Sequence, residues 1–264
     1  MNAILCAMLM LSCLTAAPGF DSQSQVKPAA NRKIDTDLLE ACSQGDLARV
    51  TELIRRGANV NARGETGETP LHAAQNRKVA ELLIAKGAEI DAKDTDFEMT
   101  PLFNAPLDVA ELLLSKGADI NARAKERLTP AAWCVYWDAM DKLKLLISRG
   151  ADINAGAGSA KTPLHIAANW GKVQMAEFLV SKGANVNARD DSGWTPLHWA
   201  AFEGGPEVAD FLIAKGADKN AKTGKAWAIF PASSTPLDIA EKAKAGDTVL
   251  FLKSRGCKNG RDIK

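Results

Sequence analysis

Three histidines are the side chains of this chain most able to do chemistry near neutral pH. His72, His165 and His198 each follow a Thr-Pro-Leu tripeptide. An imidazole can act as a general base or bind a metal ion. No nucleophile, base and orienting group converge around these positions, as catalysis would need. No spacing of cysteine and histidine resembles a zinc site either, so the sequence predicts no catalytic residue, no metal site and no cofactor.

The elements that position these histidines are clearest in residues 162–188. Thr162 is suited to cap a helix N-terminus, and Pro163 fits the first helical position because its missing amide hydrogen is no loss there. Gly171 ends this helix, a second amphipathic helix follows, and Gly183 supplies a left-handed C-terminal cap. The predicted unit is therefore a helix, a turn, a second helix and an extended loop.

The same pattern returns 33 residues later at Thr195, and repetition at this period indicates a stacked repeat array. Gly-Ala closures recur in phase with the helix starts, at Gly57, Gly87, Gly117, Gly150, Gly183 and Gly216. With its Thr-Pro-Leu-His, Ala-Ala and Gly-Ala-Asp-Val-Asn-Ala segments, the chain resembles the ankyrin repeat family over roughly residues 36–257. The resemblance implies an all-α ankyrin-repeat solenoid of stacked helix-turn-helix units with extended loops. It also implies that each motif histidine makes a structural hydrogen bond between neighbouring repeats.

Residues 34–264 divide into about seven such units, including caps at both ends. Units two and three, from Thr69 and Thr100, have lost residues between their helices, and we expect only the turn to contract. Unit four, from Thr129, replaces Leu-His by Ala-Ala and carries several aromatic residues. An insert at residues 222–234 precedes the last unit.

The cysteines outside the N-terminal apolar run are Cys42, Cys134 and Cys257. Each replaces a small packed residue of the repeat. Stacked helices lie about 8–10 Å apart, so cysteines three units apart are far beyond the roughly 7 Å Cα separation of a disulfide. We therefore expect free, buried thiols, with intermolecular pairing through Cys257 as the remaining alternative.

The N-terminal segment 1–19 is predicted to be a signal peptide. Residues 1–20 carry no charged side chain, and Ala3 to Leu14 is an apolar run too short to span a bilayer. Cleavage after Gly19 would give a secreted or periplasmic chain with no transmembrane span and a flexible tether at residues 20–33. The alternatives are a lipid anchor on Cys13, which would hold the protein in the cell envelope, and an uncleaved anchor or misassigned start.

The charge balance argues against a nucleic-acid partner. Lys and Arg total 33 and Asp and Glu total 32, so no basic footprint is present. The resemblance implies a monomeric, non-catalytic module that binds a protein partner through the concave face and loop tips of the array, outside the cytoplasm. Alternatives are a receptor that takes a small molecule or peptide in an aromatic cleft of units four to six, and an enzyme hidden in an atypical repeat.

Aromatic side chains indicate where such a partner would bind. All six tryptophans lie between residues 133 and 227. Several occupy equivalent positions, four, seven or eight residues after the threonine of a unit, which lie on one side of the first helix. The candidate partner-binding residues are Trp133, Tyr136, Trp137, Trp170, Trp194, Trp199 and Phe202. Packing of Trp133 and Trp199 against adjacent helices is the alternative for that row.

Overall fold

The computed structural model describes residues 29–263, which form seven helix-turn-helix units. The predicted signal peptide and residues 20–28 of the predicted tether lie outside this range. The first helices of the units are Ala29–Gln44, Pro70–Ala73, Pro101–Asn104, Pro130–Tyr136, Pro163–Asn169, Pro196–Trp199 and Pro236–Ala243. The second helices, each of nine residues, are Leu47–Arg55, Arg77–Ala85, Leu107–Ser115, Met140–Ser148, Val173–Ser181, Pro206–Ala214 and Gly246–Ser254. Within 29–263 there is no extended strand, only two isolated bridges, and no helix is long and apolar enough to cross a membrane.

The first helix begins at Ala29, so residues 29–33 are helical rather than part of the tether. The prediction of a tether up to residue 33 rested on the scarcity of apolar residues there. Ala, Arg and Lys nevertheless have high helix propensity, and they extend a helix whose later residues Leu38, Ala41 and Cys42 are fully buried.

The predicted helix ends are confirmed. In units two to seven a threonine stands at the N-cap and a proline at the first helical position. Gly183 has φ +93°, and a Cβ built there would meet nothing within 4 Å. Glycine is therefore required for its backbone conformation rather than for space.

The contraction of units two and three is larger than predicted. Their first helices, Pro70–Ala73 and Pro101–Asn104, have four residues, whereas those of units four and five have seven. The missing residues thus remove the last turn of the helix as well as the loop. The carbonyl groups at these ends therefore need partners from outside the helix.

The core runs the length of the array because each second helix buries a leucine at the same position. These leucines are Leu53, Leu83, Leu113, Leu146, Leu179, Leu212 and Leu252. The loops are joined by a row of Asn and Asp side chains that accept a backbone N–H from the next unit; Asn121 Oδ1, for example, accepts from Asp152 at 2.9 Å. Each unit is therefore stabilised by its neighbours, as in other one-dimensional arrays.

Candidate protein-binding surface

The three motif histidines join neighbouring units through hydrogen bonds. In unit five the backbone N–H of Thr162 donates to His165 Nδ1 at 3.0 Å, and His165 Nε2 lies 3.1 Å from the carbonyl oxygen of Trp194 in unit six. Since Nδ1 accepts, Nε2 carries the proton and donates to that carbonyl. His198 makes the same bridge to the carbonyl oxygen of Ser234 at 3.1 Å.

Burial reinforces this structural role. It lowers the pKa of His165 and of His198 from 6.5 to about 4, so both rings are neutral at neutral pH. His72 bridges to the carbonyl oxygen of Met99 at 2.9 Å, and burial lowers its pKa too. Among residues 29–263 no three His, Cys, Asp or Glu side chains lie close enough together to hold a metal ion.

Among residues 29–263 the cysteines, Cys42, Cys134 and Cys257, are free and buried, as predicted. Burial raises the pKa of Cys42 to about 12 and that of Cys134 to about 11. A thiol with so high a pKa gives almost no thiolate at neutral pH, so these side chains act as small packed residues.

Six of the seven predicted partner-binding residues fall into two groups in the structure, and the seventh, Tyr136, is half-buried against the core. One group, which we call the exposed aromatic surface, consists of Trp133, Trp137 and Trp170. Trp137 has 63% of its surface exposed, and its ring centroid lies 5.5 Å from that of Trp133 in an edge-to-face arrangement. Trp133 is half-buried, and its Nε1 donates to Asn104 Oδ1 at 3.0 Å. The hydrogen bond to Asn104 therefore orients the Trp133 ring, against which Trp137 packs.

Trp137 and Trp170 occupy the same place in successive units, because each is the C-cap residue of its first helix. The half-buried Tyr136 precedes Trp137 in the helix. Lys172, two residues after Trp170, donates from Nζ to the carbonyl oxygens of Val135 and Tyr136 at 2.9 and 3.0 Å. The ammonium group thereby fixes the helix end that carries Trp137, since a cation is favourable at a helix C-terminus.

The second group is a buried aromatic cluster made of Trp194, Trp199, Phe202, Trp227 and Phe230. Trp194 is fully buried and Trp199 is 4% exposed, so neither can offer a partner much contact area. The prediction that Trp194 extends the exposed side is thus not met, whereas the alternative in which Trp199 packs internally is confirmed. Phe202 is half-buried and lies 5.8 Å from Trp227 between ring centroids.

The insert is the reason for this burial. Its base is closed by two backbone hydrogen bonds between Thr223 and residues Ser233 and Ser234, at 3.0 and 2.9 Å. The loop between them folds back and lays Trp227 and Phe230 against unit six, 5.0 and 5.4 Å from Trp194 between ring centroids. Both aromatic residues of the insert were visible in the sequence, but nothing local indicated which unit they would cover.

The polar groups of Trp199 are satisfied within the chain, whereas the buried Nε1 of Trp194 has no hydrogen-bond partner. Trp199 Nε1 donates to Asp190 Oδ2 at 2.9 Å, and Lys161 Nζ lies 3.7 Å from the centroid of the Trp199 ring. A cation over an indole face is attracted by the ring quadrupole. These contacts hold the cluster together and leave Trp199 with no free polar group.

Two open clefts in the described part of the chain lie away from the aromatic residues. One, of about 680 Å³, is lined by residues of the insert, the last unit and the C-terminal turn, among them Ser233, Asp238 and Arg261. The other, of about 340 Å³, lies at the start of the second helices near Leu47, Arg77 and Asp108. Neither includes a predicted partner-binding residue.

Comparison with known proteins gives one consistent family. A family model described as ankyrin repeats (3 copies) matches residues 38–124 and 131–223. An ankyrin repeat protein of fowlpox virus (strain NVSL) is 40% identical over 67 residues, which is 24% of this chain and 16% of the viral protein. The crystal structure of the human ASB11 ankyrin repeat domain matches with a TM-score of 0.69 and 27% identity, over 83% of this chain and 96% of that domain.

Proposed function

Because this chain belongs to the ankyrin repeat family, we propose that it binds a protein partner through the exposed aromatic surface of units four and five. Ankyrin repeats are generally protein-protein interaction modules, and the family is typically a non-enzymatic scaffold. The face through which this chain binds its partner is the part that we propose.

The observation that carries the proposal is the exposure of Trp137. A large apolar side chain with 63% of its surface exposed is unfavourable in water. Interfaces concentrate their energy in a few Trp, Tyr and Arg residues. Trp170, half-buried at the equivalent position of unit five, extends this surface along the array.

The test compares capture of a partner by the chain and by a double variant, Trp137→Ala with Trp170→Ala. The chain without its predicted leader, residues 20–264, is used to capture proteins from the extracellular or periplasmic fraction, and retained proteins are identified by mass spectrometry. We expect the double variant to lose capture while its melting temperature stays nearly unchanged, since each hot-spot residue contributes about 2 kcal/mol or more.

Gln75→Ala is the matched control, because Gln75 is an exposed residue of the short unit two. Gln75→Ala should change neither the capture of the partner nor the melting temperature. Normal capture by the double variant, or unfolding of that variant, would contradict the proposal.

We further propose that the protein acts outside the cytoplasm, in secreted or periplasmic form, with anchoring at Cys13 as the alternative. Support comes from the uncharged residues 1–20 and the apolar run within them. N-terminal sequencing of the natural protein should find Phe20 as the first residue. An intact Met1 on cytosolic protein would refute export, whereas an acylated Cys13 would select the lipid anchor.

A further inference from the structure

A row of basic side chains joins the loops of the array to one another. Six residues after the closing glycine of a unit stands an arginine or lysine that donates to a backbone carbonyl oxygen of the following loop or, in the last case, of the C-terminal segment. Arg123 Nη1, for example, donates to the carbonyl oxygen of Gly156 at 2.6 Å. Such charge-assisted hydrogen bonds are stronger than neutral ones. The other members of the row are Arg63, Lys93, Arg189 and Lys222.

Gly156 interrupts this row in the loop that follows unit four. It stands six residues after Gly150 and has no side chain with which to reach the loop after unit five. The same boundary has no histidine bridge, because Ala132 stands at the motif position that His165 takes in unit five. Within residues 29–263, the boundary between units four and five is the only one that lacks both the basic side chain and the histidine.

The helix side of this boundary is joined more strongly than its loop side. On the helix side, the ammonium group of Lys172 donates to two carbonyl oxygens at the end of the first helix of unit four, at 2.9 and 3.0 Å. On the loop side, Asn185 N donates to Asn154 Oδ1 at 2.9 Å and Asp191 N donates to Ser159 O at 3.0 Å. These two bonds are neutral and lie among exposed residues, where water can replace either partner. The contacts therefore favour a motion in which the helices stay in contact and the loops separate.

We propose that the boundary between units four and five is a hinge at which units one to four and units five to seven bend relative to each other. Trp137 and Trp170 lie on opposite sides of this boundary, so bending changes the distance between them. The hinge thereby varies the geometry of the exposed aromatic surface. It follows from contacts inside the chain and is independent of which partner the protein binds.

The missing arginine can be restored, because the loops after units three and four share a backbone conformation. Glu126 and Arg127 have φ of 58° and 56°, and the equivalent Ser159 and Ala160 have φ of 56° and 58°. A Cβ at Gly156 would lie 2.9 Å from the Cα of Ala160, so the segment is exchanged as a whole. In the clamped variant, residues 156–160 take the unit-three sequence Arg-Ala-Lys-Glu-Arg. Its substitutions are Gly156→Arg, Gly158→Lys, Ser159→Glu and Ala160→Arg, and the matched control carries the last three only.

Spin labels on exposed loop residues of the full chain measure the bend by double electron-electron resonance. The crossing pair, Glu126→Cys with Asp191→Cys, spans the boundary, and the reference pair, Glu65→Cys with Glu126→Cys, spans as many units without it. The natural cysteines are buried and should not react with the label. We expect a broader distance distribution for the crossing pair than for the reference pair. The clamped variant should narrow it to the width of the reference pair, and the matched control should leave it broad.

Two results would overturn the hinge. One is an equal width for the crossing and reference pairs in the chain with its natural loop, a comparison that decides the matter even if the clamped variant does not fold. The other is equal narrowing by the clamped variant and its matched control, which would mean that the arginine is not the missing contact. Circular dichroism of each labelled protein verifies that the array is folded.

Discussion

At the scale of single residues, the fourth position of the Thr-Pro-Leu-His motif holds different residues in different units, and their hydrogen bonds differ accordingly. Histidine there bridges to the next unit, but unit three has Phe103, and the buried hydroxyl of Thr100 then has no hydrogen-bond partner. In the last unit Asp238 accepts from the backbone N–H groups of Thr235 and Gly260, both at 2.8 Å. This position therefore holds an aromatic ring in units two, three, five and six, an alanine in unit four and a carboxylate in the last unit.

Asp91 belongs to the row of Asn and Asp side chains that join the loops, and we expect it to stabilise the array less than an asparagine would. Asn61 and Asn187 each also donate an amide hydrogen to a glycine carbonyl of the next unit, at 2.9 and 3.1 Å. Asp91 accepts from Asp119 N but has no amide to donate. Burial, and then repulsion by Asp119, raises its pKa above 3.8. We expect Asp91→Asn to increase the free energy of unfolding by about 0.5–1 kcal/mol at pH 7.

The gain in free energy of unfolding from Asp91→Asn should depend on pH, because folding raises the pKa of Asp91. A carboxyl group whose pKa is raised by folding costs stability when it is ionised, so the cost is present above the raised pKa and disappears as the pH falls toward 3.8. Chemical denaturation of both proteins at pH 7 and at pH 3.5 measures the difference. The reciprocal change Asn61→Asp should destabilise at pH 7, and an equal gain for Asp91→Asn at both pH values would contradict the explanation.

At the scale of helices and loops, lysines from a following unit complete the ends of the first helices. Lys172 does so for unit four, and Lys142 does so for the shortened helix of unit three. Lys142 Nζ donates to the carbonyl oxygens of Phe103 and Ala105 at 3.0 and 2.8 Å. Lys142 is 9% exposed, and burial lowers its pKa to about 8. A buried lysine is tolerated here because it satisfies carbonyl groups that the missing helical turn leaves unpaired.

We therefore expect Lys142→Ala to destabilise the protein by about 1–3 kcal/mol, since two carbonyl groups would lose their donor inside the array. Lys144→Ala is the matched control, because Lys144 lies on the same helix with 55% of its side chain exposed, and it should change stability little. Urea denaturation followed by circular dichroism gives both values. Equal denaturation midpoints for the two variants would mean that water replaces the ammonium group.

At the scale of the whole molecule, stability is distributed unevenly because the histidine bridges are not found in every unit. His165 joins units five and six, and His198 joins units six and seven. Phe103 and Ala132 stand at the same place in units three and four and cannot form such a bridge. In an array of nearest-neighbour contacts, a change in these bridges should act locally rather than on the whole chain.

Mild acid should therefore loosen the C-terminal half first. His165 and His198 have folded-state pKa values of about 4, against 6.5 ordinarily. The unfolded chain binds protons as the pH falls below 6.5 while the folded chain does not, so stability is lost progressively between pH 6.5 and 4. Each histidine should contribute a loss on the order of 1–2 kcal/mol at pH 5.

Hydrogen exchange at pH 7 and pH 5, corrected for the intrinsic rates, should show protection falling more in units five to seven than in units three and four. His198→Asn should reduce the pH dependence of units six and seven, whatever it does to their stability at pH 7. A uniform loss of protection along the array would indicate that other groups control acid unfolding.

The sequence by itself determined the repeating architecture, because its signals are local. A threonine before a proline caps a helix wherever it occurs, and a glycine such as Gly183 takes a left-handed conformation that depends on its own backbone. The burial of Cys134 followed from its place in the repeat. The structural role of the motif histidines was predicted from the resemblance of the Thr-Pro-Leu-His segments to the ankyrin repeat family.

Only the tertiary structure decided which aromatic residues are exposed. Trp137 and Trp194 are equally apolar, yet one is 63% exposed and the other fully buried. The difference arises because the insert after unit six lays Trp227 and Phe230 against Trp194, whereas the short loop after unit four has no aromatic residue to lay against Trp137. Burial depends on what lies across the surface from a residue, and the position of an insert relative to a neighbouring unit is a non-local property that no pattern within one repeat contains.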